Sequence, residues 1–131
     1  ISNTRYYWHT LCNLRFQEAL QRHLSPLLDA EEAVIICKSS GLNILTQWLE
    51  GLGEENLPIR LRVIALGPVS QRLLNRKDID LLVIKGGKDI YSRCLDGHLA
   101  DVMVNSNHFD YEYREDVKGL VYDWIRKSDK D

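Results

Sequence analysis

The sequence predicts an α/β fold of three layers, in which a mainly parallel sheet of about four strands lies between helices. Two observations lead to this prediction. Four short runs rich in apolar and β-branched residues each end on small or polar residues, as buried strands do. Segments with helical spacing alternate with these runs, and strands that alternate with helices pair in parallel through crossover connections. The predicted strands are residues 33–37, 60–66, 80–84 and 100–104.

The predicted helices supply the outer layers of the fold. The clearest helix covers about residues 114–127, and a second follows the first strand and ends at Gly51 or Gly53. A third covers about residues 7–24 before Pro26, and residues 69–75 are predicted to form one or two helical turns. The first strand is expected to be buried on both faces. The apolar face of the last helix consists of Tyr113, Val117, Leu120, Val121, Trp124 and Ile125.

The composition, 44% hydrophobic and 27% charged, is that of an ordinary globular protein. Residues 1–131 suit a single α/β domain, and because the chain starts at Ile1 rather than Met we expect a fragment or truncated domain. A net charge of −2 gives no argument for a nucleic-acid or membrane partner, and no apolar stretch approaches the length of a membrane span.

The cysteines and the N-terminal residues bear on the compartment and on bound groups. Three cysteines without C-x-x-C spacing argue against a disulfide framework and against a zinc site. No signal peptide is visible. We therefore expect a reducing, cytoplasmic setting and a site without metal or cofactor.

Three of the four strand ends carry residues that can do acyl-transfer chemistry. Ser39 follows the first strand, Asp89 follows the third strand in the run Gly-Gly-Lys-Asp, and His108 follows the fourth. In parallel sheets, ligands bind beyond the carboxyl ends of the strands, so these side chains are expected at one edge. Their order along the chain is Ser, Asp, His.

These residues resemble the α/β-hydrolase superfamily, whose nucleophile lies in a G-x-S-x-G turn between a strand and a helix. The corresponding residues here are Cys-Lys-Ser-Ser-Gly at positions 37–41, with Ser39 as nucleophile, Gly41 as second glycine and Cys37 in place of the first. The Ser, Asp, His order is the superfamily's order. The resemblance extends from about Ala33 to the C-terminus and corresponds to the second half of the family's sheet.

The resemblance implies acyl transfer on a small-molecule ester, thioester or amide. His108 would accept the proton of Ser39, and Asp89 would orient the imidazole and stabilise its charged form. The backbone N–H of Ser40, with the start of the following helix at Gly41, would stabilise the oxyanion.

Simpler structural roles explain each residue separately. Ser39 or Ser40 would cap the following helix, and Asp89 would shape a turn or face a helix N-terminus. Cys37 would be a small buried residue, and His108 a loop histidine.

Two further functions belong to other classes of protein. One is a catalytically inactive hydrolase-like module for protein interaction. In that case the strand from Ala33 to Cys37 lies at an exposed edge, which a second copy or a preceding N-terminal segment would cover. The other is a small α/β domain that binds a nucleotide or another anion through backbone N–H groups at Gly86, Gly87 and Lys88.

Overall fold

The computed structural model describes residues 22–53 and 55–128, and it confirms the predicted α/β fold. The described strands form one four-stranded sheet in the order β1-β2-β3-β4, and each strand pairs in parallel with the next. Every carboxyl end therefore points to the same edge of the sheet. The strands are β1 (Glu32–Lys38), β2 (Arg60–Leu66), β3 (Ile79–Gly86) and β4 (Val102–Val104).

Helices connect or follow these strands. Helix α1 (Gly41–Gly51) lies between β1 and β2, the short α2 (Ile90–Leu95) lies between β3 and β4, and α3 (Glu115–Ser128) follows the sheet. Short 3-10 helices occupy Ser25–Asp29 and Tyr111–Tyr113. The helix predicted for residues 7–24 lies outside the described residues, except that residues 22–24 are helical.

Each face of the sheet has its own apolar cluster, which produces the three layers. Along β2, Leu61, Val63 and Ala65 pack with α1, whereas Ile64 and Leu66 pack with α3, because successive strand residues point to opposite faces. Helix α1 has only 11 residues, so packing rather than intrinsic propensity holds it in place. Its buried residues include Leu42, Leu45, Trp48 and Leu49.

The helical turns predicted for residues 69–75 are wrong, since this segment is irregular. Two of its N–H groups find acceptors in distant side chains instead of in carbonyls one turn back. The N–H of Ser70 donates to Asp96 Oδ1 at 3.0 Å, and the N–H of Leu74 donates to His98 Nε2 at 2.9 Å. These bonds tie the connection between β2 and β3 to the connection between β3 and β4.

The prediction that the first strand is buried on both faces is also wrong. Ile35 and Cys37 pack with the α1 cluster, but Val34 is 36% exposed and Ile36 is 53% exposed. Ile36 pairs with Ile64, which belongs to the cluster under α3, while Ile36 itself does not. Helix α3 therefore covers the middle of the sheet and leaves this face of β1 uncovered by the described elements.

One residue of the predicted C-terminal helix face is misplaced. Tyr113 precedes α3 in a 3-10 helix and is 74% exposed. Tyr111 is the buried tyrosine of this segment, at 0% exposure. Within the described ranges, no helix combines the length and the apolar character needed to cross a membrane.

Candidate functional site

Ser39 lies in the tight turn between β1 and α1. Its φ of +56° falls in the left-handed region, which is uncommon for a residue other than glycine. The N–H of Ser39 donates to Leu66 O at 3.3 Å, and its carbonyl accepts from the N–H of Val69 at 2.8 Å. The turn is thus anchored on both sides to the end of β2 and the residues that follow it.

The turn also requires a small residue at its helix end. A Cβ at Gly41 would lie 2.9 Å from Cys37 Cβ, which is closer than two carbon atoms tolerate. Cys37 and Gly41 are therefore packed directly across the turn, with Ser39 at its tip.

His108 joins two of the other predicted residues. Its Nε2 lies 3.0 Å from Ser39 Oγ, and its Nδ1 lies 3.0 and 2.9 Å from the two carboxylate oxygens of Asp89. The carboxylate of Asp89 accepts a hydrogen bond from His108 Nδ1, so the imidazole proton is on Nδ1. Nε2 is then free to accept from the serine hydroxyl. The structure therefore brings Ser39, His108 and Asp89, from three strand ends, into one chain of hydrogen bonds.

Asp89 is fully buried, and three donors surround its carboxylate. Besides His108, the N–H of Ser92 donates to Oδ1 at 3.0 Å and the Tyr111 hydroxyl donates to Oδ2 at 2.6 Å. The bond from Ser92 makes Asp89 the N-cap of α2 as well. Capping and contact with His108 are thus combined in one side chain.

Tyr111 is the residue of this site that the sequence did not point to. Its hydroxyl accepts from the N–H of Gly86 at 2.7 Å and donates to Asp89. Burial, and then the hydrogen bond to Asp89, raise the pKa of Tyr111, so the phenol stays neutral and remains a donor. No sequence spacing links a tyrosine to an aspartate 22 residues earlier. The one weak signal for Tyr111 was that this aromatic residue comes three positions after His108.

Gly67 provides the space for this arrangement. It has a φ of +52°, and a Cβ at this position would collide with Asp89 Oδ2 and with the Tyr111 ring. The end of β2 therefore approaches the buried carboxylate through backbone alone.

Ser40 does not act as the side-chain cap that one sequence interpretation assigned to it. It occupies the N-cap position of α1, but its side chain makes no capping hydrogen bond. Among the described residues, the N–H of Ser40 has no hydrogen-bond acceptor. It lies next to Ser39 at the N-terminus of α1, where backbone N–H groups carry partial positive charge.

The N–H groups at the end of β3 are already engaged. Gly86 donates to Tyr111, Gly87 to Val104 O at 2.8 Å, and Lys88 to Ser106 O at 3.1 Å. These three residues therefore offer an anion no unengaged backbone N–H.

The cysteines differ in environment. Burial raises the pKa of the Cys37 thiol to about 12, and its Sγ lies 3.6 Å from Ile64 O, whereas Cys94 is exposed. Cys37 is half-buried rather than fully buried, and it packs as a small residue against the cluster under α1. Within residues 22–53 and 55–128, no three His, Cys, Asp or Glu side chains group in a way that would hold a metal ion.

A cavity of about 690 Å³ lies away from these residues, near the amino ends of the strands. It runs between the end of α1 and the connection to β3, and neither Ser39, Asp89 nor His108 lines it. Two of its charged side chains, Arg76 and Asp78, pair with each other at 2.9 Å.

Comparison of the chain with models of known protein families, with curated proteins and with solved structures gives no match. The interpretation of the site therefore depends on its own geometry.

Proposed function

We propose that this chain carries a serine hydrolase site of the esterase type, acting on an ester, thioester or amide. The observation that supports the proposal is the unbroken chain of hydrogen bonds from Ser39 Oγ through His108 to Asp89. This is the arrangement that activates a serine hydroxyl, which is a weak nucleophile by itself.

In this proposal Ser39 Oγ attacks the carbonyl carbon of the substrate, and the serine proton passes to His108 Nε2. Asp89 stabilises the imidazolium that forms, and the N–H of Ser40 donates to the oxyanion. When the intermediate collapses, the bond to the leaving group breaks and the leaving atom takes the proton from Nε2. A water molecule then attacks the acyl-serine and gives a proton to His108 Nε2. The bond from the acyl carbon to Ser39 Oγ breaks, Oγ takes that proton back, and the acid is released.

The positive φ of Ser39 and the contact between Cys37 and Gly41 support the same proposal. A left-handed residue between a strand and a helix exposes its side chain at the tip of the turn, as the nucleophile turn of α/β-hydrolases does. The resemblance to that superfamily stays a proposal, argued from these features.

Labelling with a fluorophosphonate probe tests the proposal. An activated serine forms an O–P bond and releases fluoride, so we expect folded protein to be labelled at Ser39 and peptide mapping to locate the adduct. Ser39→Ala and His108→Ala should abolish labelling. Ser40→Ala is the matched control, because it removes the neighbouring hydroxyl and keeps the backbone N–H.

Folded protein that resists the probe at neutral and mildly alkaline pH would contradict the enzymatic proposal. That outcome would favour the alternative of a catalytically inactive interaction module.

A further inference from the structure

We propose that the exposed rings of Tyr91 and Phe109 form a subsite for an apolar, aromatic leaving group, namely the alcohol part of an ester substrate. This inference rests on the proposed function and specifies the substrate class of the same site.

The two rings contact the imidazole of His108 directly. The Tyr91 ring centroid lies 5.1 Å from that of His108, and the Phe109 centroid lies 5.4 Å from it in an edge-to-face arrangement. Tyr91 and Phe109 also contact each other, at 6.2 Å. The three rings thus form one aromatic group around the residue that handles the proton.

The position of these rings follows from the sequence next to the site. Tyr91 comes two residues after Asp89, in the first turn of α2, and Phe109 directly follows His108. The backbone that positions the hydrogen-bonded carboxylate and imidazole therefore positions the aromatic rings as well.

Both rings keep a large free surface. Tyr91 is 52% exposed and Phe109 is 61% exposed, whereas His108 between them is only 5% exposed. Rings that served only to shield the imidazole would be expected to bury more of their own area. Their free faces offer apolar, polarisable surface, which favours contact with another aromatic ring.

The chemistry decides which part of the substrate these rings would meet. The leaving oxygen must take its proton from His108 Nε2, so it must come within hydrogen-bond distance of that atom. The carbon group attached to this oxygen then lies beside the imidazole, where Tyr91 and Phe109 are. The acyl group lies on the other side of the carbonyl carbon, beyond Ser39 Oγ.

Two isomeric esters test the assignment, together with a smaller reference ester. Benzyl acetate carries its ring on the alcohol side, methyl phenylacetate carries it on the acyl side, and methyl acetate carries none. Benzyl alcohol and methanol are of nearly equal acidity, so the two acetates differ mainly in binding. We expect kcat/KM for benzyl acetate to exceed that for methyl acetate about tenfold or more, as one buried ring allows.

Substitution identifies the residues responsible. Tyr91→Ser and Phe109→Ser should each reduce the benzyl-to-methyl ratio severalfold. Tyr122→Ser is the control and should leave the ratio unchanged, because this tyrosine is also largely exposed, at 63%, but lies on α3 and has no ring contact with His108. Ratios are compared because a change in the position of His108 would slow both esters together.

Three outcomes would overturn the inference. A benzyl-to-methyl ratio that neither substitution changes would show that the rings do not contact the leaving group. Dependence of methyl phenylacetate on Tyr91 and Phe109 would assign the rings to the acyl group. Failure to turn over any ester together with no labelling of Ser39 would contradict the proposed function itself, and this inference with it.

Discussion

At the scale of single residues, the buried carboxylate of Asp89 determines how the site is built. An unpaired charge at 0% exposure would be strongly unfavourable, and three donors from His108, Ser92 and Tyr111 remove that cost. A carboxylate held from several directions has one orientation, so the imidazole bound to it also has one. The donors to Asp89 are therefore as important to the site as Asp89 itself.

Tyr111→Phe tests this role. The change leaves the N–H of Gly86 without its acceptor and Asp89 without one donor, so we expect a loss of about 1–3 kcal/mol in unfolding free energy. We also expect slower fluorophosphonate labelling of Ser39, because a carboxylate that loses the donor from Tyr111 no longer holds the imidazole of His108 in one orientation.

Tyr113→Phe is the matched control, since Tyr113 is 74% exposed and lies in the same 3-10 helix. A Tyr111→Phe protein that loses stability but keeps the labelling rate of Ser39 would assign Tyr111 a purely structural role.

The sequence predicted that Ser39, Asp89 and His108 lie together because each belongs to the segment after a strand, and parallel strands end at one edge. It could not predict Tyr111, whose contact with Asp89 depends on how the chain turns after β4. It also could not predict Gly67, which matters only because a carboxylate and a ring come close to it in space.

At the scale of elements, the turn between β1 and α1 determines where the serine lies. In a helix an alanine is normally about 1 kcal/mol better than a glycine. At Gly41 the methyl group would lie 2.9 Å from Cys37 Cβ, and that clash outweighs the normal preference.

Gly41→Ala should therefore destabilise the protein by about 1–3 kcal/mol and slow the labelling of Ser39. Cys37→Gly in the same chain removes the opposing carbon and should restore the labelling rate. Urea unfolding and labelling kinetics measure both effects. If Gly41→Ala alone raised stability, the close approach across the turn would be disproved.

The elements that the sequence predicted best are those whose signal is local. Strand β2 was predicted at 60–66 and is observed at Arg60–Leu66, because a run rich in apolar and β-branched residues with a glycine after it has few alternatives. Residues 69–75 were mispredicted because the N–H groups of Ser70 and Leu74 bond to Asp96 and His98, more than twenty residues away.

These last bonds belong to a buried polar cluster of Lys85, Asp96 and His98 that joins two connections. Lys85 Nζ lies 3.0 Å from Asp96 Oδ2, and His98 Nδ1 lies 3.0 Å from Asp96 Oδ1. Burial acts to raise the pKa of Asp96, but the hydrogen bonds from His98 and Lys85 outweigh it, so the pKa is lowered.

A lowered folded pKa means that this carboxylate adds stability above its ordinary pKa of about 4, and that the contribution is lost as the pH falls further. We expect Asp96→Asn to cost about 3–5 kcal/mol at pH 7, because Lys85 is left with an unpaired buried charge. The difference from the unsubstituted protein should shrink below about pH 4.

Urea unfolding at pH 7 and pH 3 measures this difference. Asp123→Asn, the same change at an exposed position of α3, is the control and should cost little at either pH. A cost for Asp96→Asn that stays constant across this range would contradict the role of the ionised carboxylate.

At the scale of the whole molecule, the parallel sheet is what assembles the site. Ser39 and His108 are 69 residues apart in the chain, yet they meet because β1 and β4 end at the same edge. The sequence predicted parallel pairing and about four strands from the alternation of elements. No local pattern in the sequence records the order of the strands along the sheet. The same holds for the uncovered face of β1, which depends on how far α3 reaches across the sheet.

Strand β1 also lies at an edge of the sheet, which bears on the proposed pairing of two copies. Among the described strands, β1 pairs only with β2, so none of them covers its other edge, and Ile36 on its uncovered face is 53% exposed. A second copy pairing along β1 would cover this edge. We expect light scattering to show a mass that rises towards a dimer with concentration.

Ile36→Lys should suppress this rise, because a charged residue blocks edge pairing. Met103→Lys places the same charge on the other edge strand, β4, where Met103 is 56% exposed, and should have no such effect. A monomer at every concentration would contradict pairing of two copies and favour coverage of β1 by a preceding segment.

The left-handed backbone at Ser39 makes this position less stable than it would be with a glycine. A non-glycine residue at a φ of +56° costs roughly 1–2 kcal/mol relative to glycine. Ser39→Gly should therefore unfold at higher urea concentration than Ser39→Ala, although both lack the hydroxyl. A chain optimised for stability alone would carry glycine here. The serine thus marks a trade-off, in which the protein gives up part of its thermodynamic stability to keep an oxygen atom beside an imidazole.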